Sequence, residues 1–310
     1  MSVPDDVAPD GGCALANLRA GEDPIGTATP FDDLILLHHP TPWARIATST
    51  PGLPEGLRAP IARATAGGRR VHVLLVDADD ASPAPNGAVW IEHVRRPSGP
   101  ARRFARTAWH VPKATLSDVL NELLAGGSPH GAVPLPVPTR EMLVCTHGER
   151  DGCCGRFGEA AYRYLRDEHA SHALRVWRVS HFGGHRFAPT LLDLPDGRSW
   201  GHLTTEALGD LAQRAASPAD LMRHYRGWCA IPGPAQAAER DLFAEHGWAW
   251  RDASVGVDLG EPHDDKTRHV SLEVKVPGSR AHQRSGTLRV RASPSIPASC
   301  GARATPVEHY

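Results

Sequence analysis

Two stretches of the chain repeat one order of apolar and polar positions. In the first, Asp33–His39 is an apolar run that stops at Pro40-Thr41-Pro42-Trp43. A helix within Pro54–Ala66 is ended by Gly67-Gly68. Arg69–Asp77 alternates, with Val71, Val73 and Leu75 on one side. Ala88–Val94 predicts a strand after the Pro/Ala/Asn/Gly loop at 82–87, and Arg103–Val111 predicts another. Leu116, Val119, Leu120, Leu123 and Leu124 then recur at the spacing of an amphipathic helix, closed by Gly126-Gly127. The order is βαβββα.

Residues 126–139 form a Gly/Pro linker, with Pro134, Pro136 and Pro138 close to polyproline register and so predicted as a semi-rigid spacer. Beyond it the same order returns. Glu141–Cys145 is a strand, Phe157–Glu168 a helix, and Ala173–Val179, Thr190–Leu194 and Ser199–Leu203 are strands. Thr204–Ala215 is a helix opening at a Thr-Thr-Glu cap. We therefore expect a degenerate tandem repeat within an α/β chain: units at 31–127 and 139–216, a flexible arm at 1–30, and a C-terminal α+β cover at 221–310. That tail carries a helix at Pro234–His246, strands at His269–Val276 and Thr287–Ala292, and loops at Pro-Ser-Ile-Pro and Ser-Cys-Gly-Ala.

Composition narrows the chemistry. With 310 residues and 41% hydrophobic content, the chain can bury a core without staples. Lys and Arg total 34 against 35 Asp and Glu, so no overall field recruits nucleic acid or an anionic membrane. The start lacks a basic segment followed by an apolar one, and no long apolar run follows, so a soluble cytoplasmic protein is expected. Six cysteines are too few for a disulfide scaffold, and three crowd into Cys145–Cys154. Cys13, Cys229 and Cys300 read as isolated small hydrophobes.

Candidate chemistry gathers between Cys145 and Thr190. Cys145 and Cys154 are separated by eight residues rich in Gly and polar side chains, while His181 and His185 flank Phe182-Gly183-Gly184. Thiolates and imidazoles together are ligands for iron, zinc and copper. Cys153 is an alternative to Cys154, and His147 lies within the loop as a solvated or hydrogen-bonding residue. Arg150, Arg156 and Arg186 flank the site as solvated side chains or as contacts for an acidic partner.

These residues resemble the sucrase/ferredoxin-like family, in which a thioredoxin fold carries a [2Fe-2S] cluster. A strand ending in Cys145, the second Cys before a helix, the His-x3-His pair and Phe187-Ala-Pro-Thr-Leu-Leu-Asp-Leu-Pro-Asp-Gly197 carry the likeness. It is tight over 139–216. His181 and His185 stand where four-cysteine members have Cys, which matches the bis-histidine branch, and Ala188-Pro189-Thr190 resembles the cis-proline turn of thioredoxins. The resemblance implies a thioredoxin-like second unit with ligands Cys145, Cys154, His181 and His185; the repeat then makes the units a thioredoxin-like tandem, and the first, whose strand ends His38-His39-Pro40 with no Cys at the matching loop, should hold no cluster. The resemblance also implies an electron carrier served by a redox partner protein rather than a catalyst of substrate turnover, with proton coupling through the imidazoles. No carboxylate pair marks a glycosidase. A structural Cys2His2 zinc protein is the alternative, against which the eight-residue Cys spacing counts. A thiol-disulfide enzyme would want Cys-x-x-Cys, which Cys153-Cys154 does not supply.

Overall fold

The computed structural model describes residues 12–77, 84–85, 87–263, 266–278, 280–289, 291–292, 296–297, 300, 304–305 and 308–309. Helix α1, Gly12–Ala20, precedes strand β1, Asp33–His38. Helix α2 is Arg58–Ala66, β2 Val71–Asp77, β3 Ala88–Arg95, β4 Ala105–Pro112, α3 Leu116–Ala125 and β5 Val133–Leu135. There follow β6 Arg140–Cys145, α4 Glu159–His169, β7 Leu174–Val179, β8 Leu191–Leu194, β9 Arg198–Trp200 and α5 Thr205–Gln213. Short α6, Pro218–Leu221, leads to β10 Tyr225–Trp228, α7 Gly233–His246, β11 Ser254–Pro262, β12 Thr267–Lys275 and β13 His282–Arg289.

Ten strands make one mixed sheet in the order β10-β9-β8-β6-β7-β2-β1-β3-β4-β5. In the first half β1 pairs parallel with β2 and antiparallel with β3, and β3 pairs antiparallel with β4. In the second, β6 pairs parallel with β7 and antiparallel with β8, and β8 pairs antiparallel with β9. The halves meet edge to edge where β2 pairs antiparallel with β7 through Val76–Val179 and Asp77–Arg178. Beside that pairing, the Ser180 N–H donates to the Leu75 carbonyl at 2.8 Å, and the Leu75 N–H donates to Ser180 Oγ at 3.0 Å.

Both faces of β1 are buried, as its unbroken apolar run requires. Ile35 and Leu37 pack with Leu116, Val119, Leu120, Leu123 and Leu124 of α3, whereas Leu34 and Leu36 face a core that continues through Met142, Val144 and Val179 into the second half. Gly126, at φ +89°, ends α3 in the left-handed conformation that its sequence position predicts. Thr204 caps α5 by accepting the Ala207 N–H at 3.2 Å.

Three expectations need correction. The arm does not stay irregular throughout: 1–11 lie outside the described residues, but Gly12–Ala20 is helical with Cys13, Ala14 and Asn17 buried. Tertiary partners, not an internal apolar period, hold this helix, since Asn17 Oδ1 bonds His202 Nε2 at 2.7 Å and Asn17 Nδ2 bonds Glu22. The semi-rigid proline spacer is in part a strand, because β5 adds to the sheet beside β4 through Val133, Pro134 and Leu135, at an edge where a missing N–H is tolerated. The region beyond 221 does not stand wholly apart either, since β10 joins the large sheet next to β9. Only then do α7 and the three-stranded sheet β11-β12-β13 follow. Of the 82–87 loop, residues 82, 83 and 86 lie outside the described residues, as do 294–295 and 299 and 301–302 in the two C-terminal loops.

Candidate metal centre

Strand β6 ends by placing Cys145 at the mouth of a loop that returns to the helix leading into α4. Two close backbone approaches shape that loop. A Cβ on Gly155 would lie 2.8 Å from the Gly148 Cα. One on Gly158 would lie 2.9 Å from the Cys145 carbonyl carbon, with the carbonyl oxygen well inside contact distance. Only glycine lets the helix start press against the end of β6. The turn Cys154–Gly158 is π-helical, a widened geometry frequent at functional sites. It is entered through Asp151, whose carbonyl accepts the Cys154 N–H at 3.1 Å and whose Oδ1 accepts the Cys153 N–H at 2.9 Å.

Strand β7 delivers the imidazoles. The His181 N–H donates to His147 Nδ1 at 3.3 Å, and His147 Nε2 bonds the Ala44 carbonyl at 3.0 Å. His147 therefore carries its proton on Nε2 and ties the two halves of the site to the loop after β1. Burial lowers its pKa, which keeps it neutral. Gly183 and Gly184 follow with φ of +96° and +78°, and a Cβ on Gly184 would collide with the Arg226 guanidinium, 2.7 Å from Nη1. That pair turns the chain so that His185 returns over His181. The Ala188–Pro189 bond is cis, as its likeness to the thioredoxin turn implied, and Thr190 next to it accepts the Cys145 N–H on its carbonyl at 3.2 Å.

The result is an inner pair of thiols and an outer pair of imidazoles. Cys145 and Cys154 are fully buried, and each Sγ lies 3.7 Å from His181 Nδ1. The ligating atoms of these three residues all lie within 4.8 Å of one another. His185 stands one step outward: its Nδ1 is 3.4 Å from His181 Nε2, and the rings are 5.1 Å apart. Both imidazoles are half-buried. Burial alone would raise the Cys145 thiol, but the Cys154 and His181 contacts hold it well below the usual thiol range. The Cys145 contact and burial push Cys154 the other way.

Arg226 lies fully buried behind the loop. It donates to the Thr27 and Gly183 carbonyls and to the Thr27 and Ser199 hydroxyls, all neutral acceptors. Burial lowers its pKa to about 10, an effect that the cysteines Cys229, Cys145 and Cys154 oppose. Among the described residues no carboxylate pairs with it, and a buried cation of that kind suits a centre whose ligands are thiolates. The donor set and this positive backing fit a soft metal group.

Other candidate residues fall into different places. Arg186 pairs with Glu22 at 2.8 Å and lies over the Phe187 ring at 4.6 Å, so it is committed to the fold. Arg156 lies 5.8 Å from the Phe157 ring centroid, and the Arg150 carbonyl accepts from Arg45 at 3.2 Å. Cys153 points away from the site, with its Sγ 3.2 Å from Cys300 Sγ and 3.7 Å from Cys13 Sγ. The expectation that Cys13 and Cys300 are isolated is thus corrected. Their separation of 287 positions hid a contact that α1 and the C-terminal segment create. Cys229 is buried in the core, as a small hydrophobe is. Sequence reading missed Arg226, which carries no local signal, and Asp151, whose place two residues before Cys153 marks it as a cap.

Among known proteins, no curated sequence matches the chain. One solved structure that it resembles is a thioredoxin-like [2Fe-2S] ferredoxin from Aquifex aeolicus, at 12% identity and TM-score 0.23 over 25% of this chain and 80% of that one. No helix among the described residues is long and apolar enough to cross a membrane. A family model matches residues 24–227, from before β1 into β10 and including all four expected ligands, and on that match the chain belongs to the sucrase/ferredoxin-like family.

Proposed function

We infer that this protein is a one-electron carrier that holds a [2Fe-2S] cluster through Cys145, Cys154, His181 and His185, each half of its sheet being a thioredoxin-like unit. The observation that carries this reading is the convergence of two buried thiols with two half-buried imidazoles at the end of β6 and β7. Such a cluster, when bound, supplies reversible one-electron chemistry at a potential raised by imidazole ligation. The chain's own contribution is to fix the ligands and to shield the thiols. Cys145 and Cys154 sit in the protein, His147 orients the His181 backbone, and Arg226 places positive charge behind the thiolates. The half-buried imidazoles are the ligands nearest solvent, so a redox partner protein would approach there, and proton uptake on an imidazole would accompany the electron. With all four side chains committed to ligation, none is left to bind a substrate.

A structural zinc site is the second reading, favoured by the tight grouping of Cys145, Cys154 and His181 within 4.8 Å, a size that suits one ion. Metal and sulfide analysis with an optical spectrum on anaerobically purified protein separates the two. A brown protein with iron and acid-labile sulfide supports the carrier. A colourless protein whose zinc is lost in Cys145→Ser sinks it.

A further inference from the structure

We propose that Cys13, Asp151, Cys153 and Cys300 form a second, separate metal site, a closed tetrahedral zinc centre of three thiolates and one carboxylate that clasps both ends of the chain to the loop carrying Cys154. The four side chains come from helix α1, from the loop before the π-helical turn and from the C-terminal segment, and their ligating atoms all lie within 4.8 Å of one another. No short motif links them. Cys13 and Cys153 are 140 positions apart, and Cys300 is 147 beyond Cys153.

The spacings are those of one small ion. Zinc–sulfur bonds of about 2.3 Å at tetrahedral angles put neighbouring sulfurs about 3.8 Å apart, and a zinc–oxygen bond of about 2.0 Å puts sulfur and oxygen about 3.5 Å apart. The sulfur pairs stand at 3.2, 3.6 and 3.7 Å, and Asp151 Oδ1 stands 3.3 Å from Cys300 Sγ and 3.8 Å from Cys13 Sγ. Every sulfur–sulfur distance is far longer than a disulfide bond of about 2.05 Å, and three thiols cannot all pair. The carboxylate is also oriented as a ligand needs to be. Its Oδ1 accepts the Cys153 N–H at 2.9 Å and its Oδ2 the Cys300 N–H at 3.0 Å, which fixes it while leaving lone pairs for a metal.

Backbone approach completes the pocket. Gly12, at φ +67°, begins α1 where a Cβ would lie 2.7 Å from Cys153 Sγ and 3.4 Å from Cys300 Sγ. Cys13 and Cys153 are buried, and Cys300 is exposed at the rim. Zinc is the class of metal chosen because a thiolate-rich, four-coordinate site with no open position is its usual structural environment. Binding would release the thiol protons to solvent and leave the net charge of a four-cysteine zinc site, since three thiolates and a carboxylate carry the same four negative charges. The site shares no ligand with the Cys145/Cys154 centre, so it does not depend on the carrier reading.

The test uses the full-length protein purified anaerobically without chelator, with iron and zinc measured in the parent and in Cys13→Ser, Asp151→Asn and Cys300→Ser. We expect about one zinc per chain in the parent, and a roughly tenfold or larger loss of zinc in Cys13→Ser and Cys300→Ser with iron unchanged. Because a variant that misfolds would lose both metals, the parent is also stripped and loaded with cobalt(II), whose thiolate charge-transfer absorption is expected. Alkylation of the exposed Cys300 should be slow until chelator is added. No zinc and no cobalt–thiolate band, or a Cys153–Cys300 disulfide in a non-reducing peptide map, would overturn the proposal. Zinc with no iron would count against the carrier reading alone, and iron with no zinc against this one alone.

Discussion

Gly158→Ala gives a test in which two physical effects predict opposite signs. Gly158 has φ −68° and ψ −40°, ordinary right-handed helix, so alanine there should raise stability by about 1 kcal/mol if only backbone entropy and helix propensity mattered. The new methyl, however, would lie 2.9 Å from the Cys145 carbonyl carbon and 3.3 Å from the Thr146 Cα, with the Cys145 carbonyl oxygen closer still. All three atoms are backbone, held by the Cys145 N–H bond to Thr190 and the Thr146 N–H bond to Val179, so none can swing aside as a side chain would. Overpacking of a rigid site costs about 1–3 kcal/mol, and here it acts on the ligand-bearing end of β6. The net expectation is a loss of up to about 2 kcal/mol with reduced iron retention after loading. Gly152→Ala is the control, because nothing lies within 4 Å of a Cβ there, and it should be neutral or slightly stabilising. Urea unfolding of the apo-protein measures both. If Gly158→Ala is as stable as Gly152→Ala, the close packing of the helix start on Cys145 is not what positions the thiol.

Three further outcomes are expected. Cys145→Ser and Cys154→Ser should each lose most bound iron, whereas Cys153→Ser should keep it, because its Sγ faces Cys13 and Cys300; iron content of the three variants decides, and loss only in Cys153→Ser would reverse the assignment. Arg140→Ala should cost about 3–5 kcal/mol by denaturant unfolding, since it strands the buried Asp193 carboxylate that Arg140 holds at 2.8 Å from two nitrogens. Glu92 is held up at about 8 by burial and by the neighbouring Glu141, against the pull of Arg106. Its folded pKa thus lies above the unfolded one, so its contribution is fully present below about pH 4.5 and is lost as pH rises through about 8. The slope approaches at most about 1.4 kcal/mol per pH unit inside that window. Glu92→Gln should flatten the fall in urea midpoint between pH 5 and pH 9, and an unchanged profile would show that Glu92 keeps its charge when folded.

What could be read from the sequence was what local chemistry writes there. The apolar run Leu34–Leu37 and the alternation around Val73 and Leu75 correspond to β1 and β2, and the leucines of 116–124 to α3, because burial on a sheet or helix face imposes a period. The ends of β6 and β7 were legible for the same reason, and with them the places of Cys145 and His181. Helix α1 was not, since its apolar face is short and it is secured by Asn17 and Cys13 contacts made far along the chain. Strand β11 escaped as well: Ser254–Pro262 holds Gly256, Gly260 and charged residues, and it is held by the ladder with β12 and the bridge from Val255 to Ala101. Tertiary folding alone brings Arg226 behind the Cys145/Cys154 loop and Cys300 to Cys153 and Cys13.

The seam between β2 and β7 gives the amide of Leu75 a use as an internal gauge. That N–H, in the first half of the sheet, is donated to Ser180 Oγ, and Ser180 immediately precedes His181. Solvent deuterium can replace its proton only when the seam parts, so its exchange rate reads the opening of the seam directly. A ligand that restrains His181 binds the closed state and not the parted one, and by mass action slows that exchange in proportion to its affinity. Occupancy of the centre becomes measurable from a residue outside its ligand set.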